Sequence, residues 1–146
     1  KYYDEHLTAL KNVDFNDVDY VTLFYGTNDW SNGILLDTMK TVYIESITKL
    51  LTAFPHLKLI VISPYWRSVV SGKDSNVDAN SKGEYLYDFA DAIEELAKNN
   101  FNCPTINYYR TLGANAIVNR YFTQDGTHPT FSTREKIAND LIKAME

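Results

Sequence analysis

A single cysteine, Cys103, occurs among 146 residues, which excludes an intrachain disulfide. It precedes Pro104 beside an apolar stretch and reads as a buried structural thiol. Histidine is also scarce: His6, His56 and His128 stand far apart, and no ligand-pair spacing supports a metal site. None of the six glycines builds a phosphate-cradling loop, so a nucleotide cofactor is not expected. No apolar run approaches the ~20 residues of a membrane helix. Basic residues number fourteen against nineteen acidic ones and are scattered from Lys1 to Lys143. Nucleic-acid binding needs a basic stripe that releases counterions, and this chain has none. The reading therefore expects no metal, no cofactor, no nucleic acid and no membrane. Linkers, repeats and low-complexity tracts are also missing, which leaves one domain over residues 1–146.

The composition that remains, 45% hydrophobic and 23% charged, is that of a globular domain with a real core. Short apolar strands alternate with amphipathic helices. A helix is expected over 2–11, where Tyr3, Leu7 and Leu10 share a face, and a strand over 19–25 (DYVTLFY), stopped by Gly26. Leu36, Met39, Tyr43, Ile47 and Leu50 then recur at three or four residues, predicting a helix over 37–53 capped by Asp37 and stopped by Pro55. A buried strand over 57–62 leads into a long polar loop over 64–82, a length that usually serves function or stays disordered. Further helices are expected over 84–98, 113–120 and 132–145, and a strand over 103–108. Ser132 and Glu135 have capping-box spacing at the start of the last helix. Nearly continuous apolar strands between helices predict a layered α/β fold with a parallel sheet covered on both faces.

In such folds ligands bind beyond the carboxyl ends of the strands. That rule selects Gly26–Trp30, Ser63–Arg67 and the loop leading to Asp125–Pro129. The motif Gly26-Thr27-Asn28-Asp29-Trp30 is a plausible plain turn, since Gly, Asn and Asp tolerate sharp bends. It also offers the Asn28 amide N–H, an uncharged donor of the kind an oxyanion hole needs. Asp125-Gly126-Thr127-His128-Pro129 can likewise be ordinary punctuation before a helix. It also puts a carboxylate three residues from an imidazole, with Gly126 allowing the backbone to fold. A carboxylate on one ring nitrogen fixes the tautomer and frees the other as general base. Tyr65, Trp66 and Arg67 follow the second strand and suit either loop packing or substrate contact, and Asp29 and Trp30 border the same edge.

The two motifs in this order resemble blocks III and V of the SGNH, or GDSL-type, esterases and lipases. The resemblance implies a three-layer flavodoxin-like fold, with Asn28 as oxyanion donor, Asp125 as acid and His128 as base. It implies a short acyl ester or O-acetylated carbohydrate as substrate. The family's Gly-Asp-Ser block is not in this sequence, and the glycine of its second block is not identifiable. Ser31 and Ser63 lie near the right edge but lack a setting that exposes the hydroxyl, and Cys103 belongs to the opposite edge. The chain is therefore expected to be the C-terminal portion of such a domain, lacking its N-terminal strands and, as it stands, inactive. Strand 19–25 would then present an unpaired edge open to self-association. An inactive binding or structural module of the same fold is the alternative reading.

Overall fold

A computed structural model describes residues 13–68 and 74–146. The helix expected over 2–11 and part of the polar loop lie outside the described residues. Three strands, β1 (Tyr20–Phe24), β2 (Lys58–Ile62) and β3 (Thr105–Ile106), pair in parallel in the order β1-β2-β3. The register runs from Tyr20 opposite Lys58 to Phe24 opposite Ile62, and on to Ile62 opposite Ile106. Around the sheet stand α1 (Thr27–Ser31), α2 (Leu36–Ala53), α3 (Leu86–Phe101), α4 (Tyr108–Thr111), α5 (Asn119–Phe122) and α6 (Phe131–Met145). The α/β class expected from the alternation of strands and helices is the one observed.

Alternating strand residues divide between two cores. Leu59 and Val61 of β2, with Val21 and Leu23 of β1, pack against Met39, Tyr43 and Ile47 of α2 and Phe89 and Ile93 of α3. On the other face Ile62 meets Tyr65, Tyr108 and Leu112, with Ile137 and Leu141 of α6 beside them. Four consecutive residues of β2, Leu59–Ile62, are buried, as a central strand covered on both faces requires. Full burial of side chains this size contributes roughly 1.5–3 kcal/mol each, which makes the β2 core the main anchor of the sheet.

Several boundaries differ from expectation for identifiable reasons. Asp37 does not cap α2. Leu35 holds the cap position, and the Glu84 carboxylate accepts from the Leu36 N–H at 2.9 and 3.0 Å, a tertiary cap from 48 residues away. The last helix begins one residue early at Phe131. Thr130, not Ser132, is its cap and accepts from the Thr133 N–H at 3.3 Å. β3 shrinks to two residues because Asn107 turns its side chain back to the Arg110 N–H and opens α4 there. The helix expected over 113–120 forms only as the short Asn119–Phe122 turn. Cys103 is half-buried, and burial pushes its thiol pKa up, as suits a structural role.

Candidate active site

All three predicted segments open at the carboxyl ends of the strands. Gly26 follows β1 with φ of 106°, and a Cβ there would stand 2.7 Å from Ile93 Cδ1 and 2.9 Å from Pro64 Cγ. Only glycine meets both demands, so the chain can turn directly into α1 against the end of β2. Asn28 therefore lies in a helical turn rather than an open loop, with its side chain exposed. Its carbonyl accepts from Asn32 N–H at 2.9 Å and from Ser31 Oγ at 3.3 Å. Asp29 is half-buried beside it, and its carbonyl takes the Ile34 N–H at 3.0 Å.

Two expected substrate contacts belong to the core instead. Trp30 is 1% exposed and its Nε1 donates to the Glu84 carbonyl at 2.9 Å. Trp66 is equally buried and donates to Asp74 Oδ1. A large apolar ring gains most from full burial when its one N–H finds a partner, and both indoles do.

Asp125 and His128 meet as their spacing suggested. The carboxylate Oδ2 lies 2.6 Å from His128 Nδ1. Its other oxygen, Oδ1, accepts from the backbone N–H of His128 at 2.8 Å and of Thr127 at 3.0 Å. The Asp125 carboxyl is held well below the usual carboxylate range, first by the His128 backbone N–H, then by the imidazole and the Thr127 N–H. His128 Nε2 has no hydrogen-bond partner among the described residues, and the side chain is 75% exposed. Such an imidazole, with its tautomer fixed from one side and its other nitrogen open, is arranged to take a proton.

The segment after β2 carries this loop. Tyr65 Oη donates to the Thr127 carbonyl at 2.5 Å, and the Ser68 N–H to the Gly126 carbonyl at 2.7 Å. Gly126, with φ of 84°, approaches so closely that a Cβ would fall 2.6 Å from Ser68 Cβ. The Phe24 ring at the end of β1 sits 6.0 Å from the Tyr65 ring, which links the first strand to the histidine loop. No hydrogen bond among the described residues joins Asn28 to the dyad. Burial lowers the Arg67 pKa while Tyr65 and Asp125 oppose that shift; its Nε and Nη1 are buried and have no partner among the described residues.

The other candidates separate cleanly. Ser63 is 2% exposed and donates to Asn107 Oδ1 at 3.0 Å, so it is no available nucleophile. Asn107 also donates to Asp91 and Glu94, a buried hub that the rule of carboxyl ends would have flagged and that motif reading passed over. Ser31 is exposed but bonded to its own helix. His56 sits at the surface with Nε2 3.0 Å from the Phe15 carbonyl, a structural contact. No group of three or more His, Cys, Asp or Glu that could hold a metal ion occurs among the described residues. No helix there is long and apolar enough to cross a membrane.

A parallel α/β sheet with an Asp–His dyad at its carboxyl edge defines the class: a layered fold with an acid–base site between loops. Within that class, the sequence model of the GDSL-like lipase/acylhydrolase family matches residues 2–132. The chain belongs to that family. Among solved structures it is similar to a Lactobacillus plantarum protein, with a TM-score of 0.77 at 20% identity, over 92% of this chain and 69% of that one. A GDSL-like lipase from Bacteroides thetaiotaomicron gives 0.68 at 24% identity, over 97% of this chain and 68% of that one. At these identities the likeness concerns the fold. No curated protein matches.

Proposed function

We propose that this chain carries the acid–base portion of a serine ester hydrolase acting on short acyl esters, including O-acetyl groups on carbohydrate. The carrying observation is the 2.6 Å contact between His128 Nδ1 and Asp125, with Nε2 open at the carboxyl edge of the sheet. In the proposed reaction His128 Nε2 removes the proton of a serine hydroxyl as it attacks the ester carbonyl. Asp125 holds the resulting imidazolium, and the Asn28 side-chain amide faces the developing oxyanion. The same imidazolium then protonates the departing alcohol, and water completes the cycle by the same route. This reading has no role for a metal or cofactor.

Gly-Asp-Ser does not occur in these 146 residues, which favours a second reading: a family member whose cleft binds a ligand or partner without turnover. The two separate in one experiment. The complete natural reading frame is assayed for p-nitrophenyl acetate hydrolysis beside its His128→Ala variant. The hydrolase reading expects a loss of about 100-fold or more, the usual contribution of a general base. Equal rates would remove His128 from the mechanism, and no turnover in either protein would favour the binding module. The reading also includes self-association along β1, which among the described residues has a neighbouring strand on one side only.

A further inference from the structure

Resting on the hydrolase reading, we propose that Tyr65 is a positioning residue whose hydroxyl fixes the backbone of the histidine loop, rather than a group that touches substrate. Three observations converge on it. Tyr65 is 7% exposed, so its ring offers little surface to a ligand. Its Oη donates to the carbonyl of Thr127, the residue immediately before His128, at 2.5 Å. Thr127 is also one of the two residues whose backbone N–H groups hold the Asp125 carboxylate. One phenol therefore grips, from 62 residues away, the peptide that orients both members of the dyad.

The dyad needs such a support because, among the described residues, little else surrounds it. The Asp125 and His128 side chains are 56% and 75% exposed, and an exposed pair in water has little of its own to keep it in one geometry. The loop lies between α5 and α6 and is not itself part of either. Among the described residues, its anchors to the sheet side come from the segment just after β2. The Ser68 N–H binds the Gly126 carbonyl, Thr127 Oγ1 donates to the Ser68 carbonyl at 3.4 Å, and Tyr65 binds the Thr127 carbonyl. Of these, Tyr65 is the side chain rooted in the apolar core, packed with Ile62, Tyr108 and Leu112. Burial, reinforced by the Asp125 charge, pushes its pKa up to about 12, so the hydroxyl keeps the proton it donates throughout the neutral range.

Proton NMR of the chain tests this through the His128 ring. The Nδ1–H proton in contact with Asp125 is expected as a downfield, slowly exchanging signal that disappears in Asp125→Asn. Tyr65→Phe keeps the ring and the packing but removes the donor. It should speed exchange of that ring proton by about fivefold, the factor a single neutral hydrogen bond commands. Near-UV circular dichroism and the exchange of β2 amides should stay unchanged, which a merely structural role would not predict. Exchange within about twofold of the parent protein would overturn the assignment. Should Tyr65→Phe fail to fold, the parent protein decides alone: a Tyr65 hydroxyl exchanging as fast as free tyrosine overturns the proposal, and a protected one with a nuclear Overhauser contact to Thr127 supports it. An absent ring signal in the parent, or one insensitive to Asp125→Asn, defeats the dyad itself and the proposal with it, an outcome separable from failure at Tyr65.

Discussion

Asp125 accepts three hydrogen bonds, two from backbone N–H groups and one from the imidazole, so its proton affinity differs between the folded and unfolded chain. The folded value is depressed. The stability this carboxylate supplies is therefore complete above about pH 4, its ordinary range, and is lost as the pH falls towards the folded value. Asp125→Asn should lower the urea midpoint at pH 7, with the gap narrowing steadily in titrations taken down to pH 2. A gap that stayed constant would mean the charge is not what matters. At the same scale, Gly26→Ala meets a positive φ and two close neighbours at once. A strained residue costs on the order of 1–3 kcal/mol, and guanidinium melts of the variant should show a loss of at least that size.

Among the elements, the helices were more legible in the sequence than their ends. Leu86, Phe89, Ile93 and Leu96 recur at helical spacing; the structure buries the first three on α3 and leaves Leu96 half-buried, with Ala97 taking the inner position. Spacing alone does not show what satisfies the first free N–H groups of a helix. For α2 the answer came from Glu84, and for α6 from Thr130 rather than the Ser132–Glu135 pair that looks like a box in one dimension. Thr130→Ala should cost about 1 kcal/mol in urea unfolding, whereas Ser132→Ala should stay within about 0.5 kcal/mol. The reverse ranking would return the cap to Ser132. The candidate site was legible where chemistry depends on neighbours in sequence, as with Asp125 and His128. The roles of Trp30, Trp66 and Tyr65 depend on contacts with Glu84, Asp74 and Thr127, and no local pattern in the sequence encodes those pairings.

For the whole molecule, the telling feature is the side of β1 that has no neighbouring strand among the described residues. Tyr20, Thr22 and Phe24 share one face of that strand, and Thr22 and Phe24 are exposed. Nearby, Tyr20 Oη donates to the Met145 carbonyl at 3.0 Å, and Ile142 and Met145 of α6 are themselves exposed. Unpaired N–H and C=O groups beside apolar side chains favour pairing with another strand. Sedimentation velocity of the 146-residue chain should reveal concentration-dependent association that Thr22→Lys reduces. A single monomeric species at every concentration would reject it.

Glu84 joins two places far from it along the chain: its carbonyl holds the Trp30 indole and its carboxylate holds the Leu36 N–H. Each tie spans about fifty residues, so closing it costs chain entropy that only docked helices can offset. The Gly26–Trp30 turn should accordingly mature late in refolding, after α2 and α3 have come together. In stopped-flow experiments, indole fluorescence would then lag behind the recovery of helical ellipticity.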